Sequence, residues 1–304
     1  MDNEGTRVTV RVPAKINLVL AVGAKRSDGY HELATVFQAI SLYDEVEARA
    51  AAEISVAIQG EYADQVPTGE SNLAVRAAAT LAGYAGVRSG VRLRLRKRIP
   101  VAGGLAGGSA DAAGSLVACD ALWETGLGRA ELSSLAGRLG SDVPFALAGG
   151  TALGAGRGER LTPVMVGGTF HWVVAVAAGG LSTPAVYAEL DRLRAAGEGT
   201  DSDLDVGFDV LTALRAGNAE ALAAALRNDL EAAARTLLPG LRTTLETGRE
   251  LGALAGIVSG SGPSCAFLAR DAEHAGELAD ELVAAQVCAD ALVATGPVPG
   301  ARLI

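Results

Sequence analysis

The segment VRLRLRKRI at 91–99 alternates apolar and basic residues at period two and runs directly into PVAGGLAGGSADAAGSLVACDALW. That alternation specifies a strand whose Arg92, Arg94, Arg96 and Arg98 share one solvated face. A turn containing two glycine pairs comes next, and then an apolar helix from about Ser109 to Trp123. Glycine pairs at a strand-to-helix junction serve tight turns and close backbone approach. The chain must therefore build a strand, loop, helix unit at its centre. A dinucleotide fold would place such a turn after the first strand, with an acid closing the next; here it comes late and succeeds an arginine-rich strand.

Around this unit the elements alternate. TRVTVRV reads as a strand that Pro13 interrupts, which puts Lys15 and Asn17 at or just after the disruption. Residues 33–42 and 46–58 supply further strands, and Asn72 is placed to cap a helix over 73–82. A helix covers 130–138, and SDVPFAL begins another with Ser141 or Asp142 at its start and Pro144 in its first turn. TALG, LTPVMV and FHWVVAVA are strand segments up to about residue 177. Beyond them, helical patterns at 184–195, 208–215, 219–226 and 229–238 surround a polar loop at 196–207. The tail gives strand, GSGPS turn, strand, a helix over 272–285 and a last strand at 290–295. This order predicts an α+β chain of two domains meeting near 166–170, divided as 1–167 and 168–304.

Composition narrows the function classes. Hydrophobic residues make up 49% but aromatics only 4%, so the core of this 304-residue chain must be filled by small and aliphatic side chains. A formal charge of −9 disfavours a nucleic-acid partner while leaving room for a local anion pocket. The apolar stretch HWVVAVAAGGL is too short to span a bilayer, and MDNEGTRVTVRVPAK lacks an apolar signal core, so no membrane partner is expected. Cys119, Cys265 and Cys288 are dispersed without a CxxC and fit core thiols in a reducing cytoplasm. Three scattered histidines form no zinc constellation, so no protein metal site is expected. Monomer and homodimer are equally compatible with the sequence.

Each candidate residue carries a chemical and a structural reading. Gly103–Gly114 can cradle a phosphate on backbone N–H groups at the helix start, or can be a structural turn; no GKS or GKT closes it as a Walker loop. Ser109 can cap that helix or reach a phosphate-bound Mg²⁺, and Asp111 in the first turn favours the helix dipole from a surface position. Lys97 and Arg98 can steer phosphates or belong to a solvated strand edge. Asp142 can act on an acceptor hydroxyl or serve as an N-cap, and Lys15 can stabilise oxyanion charge or sit on the surface. Tyr30 and His31, after the DG pair of RSDGYHEL, can meet a planar base or complete a turn. Tyr187 can face a ligand ring or the core, and SGSGPS at 259–264 can bind an anion or form a hairpin or a domain contact.

Taken together, PAKINL at 13–18, IPVAGGLAGGSADAAG at 99–114, LGSDVPF at 139–145 and SGSGPS resemble the GHMP small-molecule kinase superfamily, in the right order over nearly the whole chain. RSDGYHEL with TVFQAISLYDEV narrows the resemblance to the branch whose acceptor alcohol is a cytidine diphosphate-linked methylerythritol in the non-mevalonate route to isoprenoid precursors. The resemblance implies a two-domain fold with its active site in the cleft and ATP with Mg²⁺ as phosphoryl donor and cofactor. It implies that Asp142 is the catalytic aspartate and Lys15 its partner. It places Asn72, Lys97, Pro100, Val101, Ala102, Gly103, Gly104, Leu105, Ala106, Gly107, Gly108 and Ser109 around ATP, with Asn72 near the adenine. Asn17, Tyr30, His31, Asp142, Thr183 and Tyr187 fall to the acceptor, Tyr30, His31 and Tyr187 forming the cytidine pocket. The loop departs from the superfamily's Gly-Leu-Gly-Ser-Ser-Ala form in having Ala110 after Ser109, which leaves one side-chain hydroxyl for the metal. Another GHMP kinase acting on mevalonate or homoserine, or a catalytically silent nucleotide-binding protein, remain the competing readings.

Overall fold

The computed structural model describes residues 6–198 and 203–304. Two long strands, β1 (Arg7–Lys25) and β2 (His31–Ala51), pair antiparallel and form the spine of the first sheet. Pro13 does not end β1 as its sequence suggested. It has no N–H to give the ladder, and the strand absorbs the defect as a register shift between Pro13 and Ala14, with another between Asn17 and Val19. Lys15 and Asn17 therefore lie between two irregularities, two residues apart and so on one face.

The strand expected over 46–58 is instead the end of β2 and a separate β3 (Ser55–Gly60), parallel to β4 (Gly90–Lys97). The N-terminal part of β2 pairs with β5 (Thr151–Gly156), which pairs with β6 (Arg160–Pro163), and its C-terminal part pairs with β4. Covering this sheet are α1 (Leu73–Ala85), α2 (Gly107–Trp123), α3 (Arg129–Leu139) and α4 (Val143–Ala148). The central helix is α2, which is why its sequence is small. An added Cβ at Gly114 would lie 2.7 Å from Val46 Cγ2, so any larger residue would push the helix off the sheet.

The second sheet has the order β11-β7-β10-β9, from β7 (Phe170–Val176), β9 (Ala255–Val258), β10 (Cys265–Ala269) and β11 (Asp290–Gly296), all antiparallel. With it go α5 (Thr183–Ala195), α6 (Phe208–Ala216), α7 (Ala219–Ala225), α8 (Glu231–Leu237), α9 (Gly240–Glu250) and α10 (Ala272–Ala284). Helix α9 was not anticipated, because LRTTLETGRE carries β-branched threonines and a glycine. It forms because Leu241, Leu245 and Gly248 line one face, and Gly248 lets the Phe267 ring come to 2.2 Å of where a Cβ would stand. The loop expected at 196–207 falls partly on residues 199–202, outside the described residues.

The two sheets are not independent. Short strands β8 (Arg227–Asn228) and β12 (Arg302–Leu303) both join β1. The largest apolar cluster mixes Val10, Ile16 and Leu116 with Trp172, Leu214 and Ile257.

Candidate active site

Between the sheets lies a cleft of about 520 Å³, within the range of small-molecule sites. Its floor is the loop ahead of α2. Helix α2 starts at Gly107, not Ser109; its N-cap is Ala106, in the left-handed region with φ 58°, and no side chain caps it. Ser109 is thus no cap, and Gly107, Gly108 and Ser109, whose first-turn amides have no acceptor within the helix, line the cleft. Gly104, with φ +74°, could not carry a side chain, since a Cβ there would meet the Ser259 carbonyl oxygen at 2.0 Å. Pro100, Val101, Ala102, Gly103, Gly104, Ala106, Gly107, Gly108 and Ser109 all line the cleft. Leu105 does not: its side chain is fully buried in the core, while its carbonyl accepts from Lys15 N–H at 3.2 Å.

The turn at 259–264 closes the β9–β10 hairpin and also packs on this floor, so the hairpin and the domain-contact readings both hold. Ser264 N–H donates to the Gly103 carbonyl at 3.3 Å and Ser259 Oγ to the Gly104 carbonyl at 3.1 Å. A Cβ on Gly103 would come within 2.8 Å of Ser264 Oγ, a buried hydroxyl with no partner. The two loops therefore touch where Gly103 and Gly104 carry no side chain.

Lys15 is buried rather than on the surface. Its Nζ donates to Asn17 Oδ1 at 2.7 Å and to the Gly104 carbonyl at 3.0 Å. Burial lowers its pKa below the ordinary lysine range, and the Asp142 charge opposes that shift. Asn17 is oriented in turn by Thr35, whose hydroxyl accepts from Asn17 Nδ2 at 2.8 Å and donates to the Val19 carbonyl at 2.6 Å. Asp142 occupies the N-cap position of α4, but its side chain makes no capping bond. The carboxylate lines the cleft instead, with Pro144 supplying the helix start. An N-cap acid that does not cap is available for other work.

Lys97 corrects the solvated-edge reading. Its exposed neighbours are the arginines; Lys97 itself is on the inward parity of β4 and is 1% exposed. Its ammonium binds Asp44, and Asp111 Oδ2 at 2.7 Å, and approaches the Gly107 carbonyl at 3.4 Å. Asp111 is neither on the surface nor in the first turn of α2. Burial pushes its carboxyl up to about 7 against the pull of Lys97, and the Asp44 charge adds to the rise. Burial also works against the Lys97 ammonium, but Asp111 and Asp44 outweigh it and raise its pKa. Asp44 further accepts from the Arg98 and Ile99 amides at 2.6 and 2.9 Å.

Asn72 is the N-cap of α1, accepting from Ala74 N–H at 2.8 Å while its amide donates to the Pro67 carbonyl at 2.6 Å, and it lines the cleft. Thr183 and Tyr187 line the opposite wall from α5, and Thr183 Oγ1 lies 2.8 Å from Ser261 Oγ. Burial, with the Asp142 charge, raises the Tyr187 phenol. His31 is buried and does not itself line the cleft; its ring centroid lies 5.0 Å from that of Tyr187, which does. Tyr30 is not brought in: it is 56% exposed and carries the Arg157 guanidinium 5.0 Å over its ring. The sequence analysis did not name Thr35, which orients Asn17, or Asp44, which pairs with Lys97.

The fit to an anionic, phosphate-bearing ligand is a glycine cradle opened onto uncapped helix amides. Among the described residues no group of three or more His, Cys, Asp or Glu forms a metal-ligand set; Asp44 and Asp111 each pair with Lys97 through Oδ2, and Asp111 Oδ1 is buried without a hydrogen-bond partner. That donor set suits Mg²⁺ carried in on phosphate oxygens, which keeps several waters, rather than an all-protein cage. Among the described residues no helix is long and apolar enough to cross a membrane.

Comparison with known proteins agrees with this geometry. The GHMP kinases N terminal domain family matches residues 72–150 and the GHMP kinases C terminal family residues 210–287. A 4-diphosphocytidyl-2-C-methyl-D-erythritol kinase of Salinispora tropica is 59% identical over 297 residues, covering 97% of this chain and 94% of the relative. One of Streptomyces avermitilis is 57% identical, covering 98% and 99%. A crystal structure of a 4-(cytidine 5'-diphospho)-2C-methyl-D-erythritol kinase superposes with TM-score 0.76 at 37% identity, covering 94% of this chain and 98% of that one. An L. major mevalonate kinase (TM-score 0.75, 16% identity, 95% of each chain) shares the fold.

Proposed function

Given that the chain belongs to the 4-diphosphocytidyl-2-C-methyl-D-erythritol kinase family of GHMP kinases, we propose how its cleft performs that family's reaction. The protein is an ATP-dependent kinase. It phosphorylates the C2 hydroxyl of 4-(cytidine 5'-diphospho)-2-C-methyl-D-erythritol, giving the 2-phosphate and ADP. The observation that carries the residue assignments is the non-capping Asp142 carboxylate in the same cleft as the uncapped start of α2 and the buried Lys15 ammonium.

In this reading the amides of Gly107, Gly108 and Ser109 hold ATP phosphates, with Pro100 to Ala106 shaping the loop and Asn72 near the adenine. Ser109 would offer a hydroxyl to Mg²⁺ carried in with ATP, a cation that would neutralise charge on the phosphate oxygens. Asp142 orients the acceptor's C2 hydroxyl and takes its proton as the oxygen attacks the γ-phosphorus. A new P–O bond forms to the C2 oxygen, the bridging bond to the β-phosphate breaks, and ADP leaves. Lys15 Nζ stabilises the developing alkoxide. Asn17 contacts the methylerythritol, and His31 with Tyr187 receives the cytosine. Tyr30, exposed in this structure, would have to swing in to join them. Lys97 acts on the cradle through the Gly107 carbonyl rather than on phosphate, because two carboxylates already take its charge. The lobes divide at 167 and 168, and the enzyme works in the cytoplasm, where Cys119, Cys265 and Cys288 stay free.

The test is phosphoryl transfer by purified protein with ATP and Mg²⁺, offered the CDP-linked acceptor beside mevalonate and homoserine, with the new phosphate located by phosphorus NMR. A 2-phosphate formed only on the CDP-linked acceptor is expected. Transfer to mevalonate or homoserine instead would overturn the substrate assignment.

A further inference from the structure

Helix α5 presents Thr183, Tyr187 and Asp191 at i, i+4 and i+8, so all three stand on one face. Each makes a contact beyond its own helix. Thr183 meets Ser261 at 2.8 Å, Tyr187 lies against the His31 ring, and Asp191 Oδ1 sits 2.8 Å from His31 Nε2. His31 opens β2 directly across from Lys25, the last residue of β1, and Lys25 Nζ lies 3.6 Å from the other Asp191 oxygen. The carboxylate is thus held between a cation and the imidazole.

An ionised carboxylate only accepts hydrogen bonds. The proton of a neutral His31 must then be on Nε2, which leaves Nδ1 as an acceptor. Among the described residues Nδ1 has no hydrogen-bond partner of its own. An acceptor nitrogen matches a base that offers an exocyclic amine, as cytosine does at C4. It mismatches one that offers a carbonyl oxygen there, as uracil does.

We propose that Asp191 is a positioning residue that fixes the His31 tautomer and so makes the site select an amine-bearing pyrimidine over a carbonyl-bearing one. This rests on the cytidine reading of the pocket and adds to it the group that sets the choice of base. Asp191 touches no ligand; it acts through His31. Replacing it with asparagine keeps the shape but offers Nε2 either an oxygen or an N–H₂, so both tautomers become accessible.

Two readouts test the proposal separately from the substrate reading. The first is ¹⁵N NMR of the ligand-free protein, in which His31 has only His171 and His274 to be told apart from. Two-bond couplings should show the Nε2–H tautomer in the wild type and a mixture in Asp191→Asn. The second is the KM of the CDP-linked acceptor against its UDP-linked analogue. Asp191→Asn should lower the preference for CDP by about tenfold, with kcat and the KM for ATP little changed. An Nδ1–H or mixed tautomer in the wild type, or an unchanged base preference in Asp191→Asn, would overturn the proposal. If the wild type phosphorylates neither nucleotide-linked acceptor, the substrate reading falls, and the tautomer measurement still decides the role of Asp191.

Discussion

Lys15 and Lys97 are both buried, and both reach a carbonyl of the same glycine loop, Gly104 for one and Gly107 for the other. Their surroundings push them in opposite directions. Lys97 is flanked by two carboxylates that raise its pKa and consume its charge. Lys15 has an amide oxygen and a carbonyl for partners, and burial lowers its pKa with Asp142 as the opposing charge. A compensated buried lysine is a strut, tying β2 and β4 to the start of α2. An under-compensated one is ready to stabilise new negative charge beside it. In the proposed mechanism, proximity to the glycine loop does not by itself make a lysine a phosphate ligand; the carboxylates already paired with it set how much charge it has left to offer.

Substitutions at the two lysines and their partners should separate these roles. The largest expected effect is on the reactive side. Asp142→Asn should lower kcat by about 10³-fold with the melting temperature unchanged, because its carboxylate makes no capping bond to lose. Steady-state assays with a parallel thermal melt check this, and a folded variant turning over normally would remove Asp142 from the chemistry. On the strut side, Lys97→Met strands two buried acids and should cost about 3 kcal/mol of stability. Denaturant titration measures it, and surviving folded enzyme should show a raised KM for ATP with a lesser change in kcat.

A smaller effect separates the two lysines by pH. Lys15 must be protonated to donate, and its pKa is lowered, so the rate should fall with rising pH before the ordinary lysine value of 10.5 is reached. Lys15→Arg should push that alkaline limb upward, since guanidinium does not deprotonate there. The smallest is Asp111→Asn. The Asp111 carboxyl titrates near 3.8 when unfolded and about 7 when folded. Across that window the folded state binds more protons, so this group's contribution to stability is lost as pH rises. Calorimetric melts should show that slope flatten in the variant.

Much of the site was legible because its signals are local. The strand parity of VRLRLRKRI places Lys97 inward with Val91, Leu93 and Leu95, so its burial could have been read from the pattern that exposed the arginines. Asn72 as a helix cap and Asp142 at a helix start came from residue type and the neighbouring proline. Asp44 was invisible, because it is 53 residues from Lys97 and meets it only through the β2–β4 pairing. The continuity of β1 through Pro13 was hidden for a related reason: a strand this long tolerates a missing donor by shifting register, which only its partner reveals. Asp191 lay in between. Its spacing from Thr183 and Tyr187 is plain in the sequence, but its meeting with His31 depends on how α5 docks on the β1–β2 hairpin.

The most direct test of the contrast is single-turnover phosphoryl transfer from ATP to the CDP-linked acceptor by Lys15→Met and Lys97→Met, each scored against its folded fraction. Folded Lys15→Met should melt no lower than the wild type and transfer about 10²-fold more slowly, while folded Lys97→Met, less stable, should transfer within about tenfold of the wild-type rate once ATP is saturating. A folded Lys15→Met that transfers at the wild-type rate, or a stable Lys97→Met that does not transfer at all, would reverse the two roles.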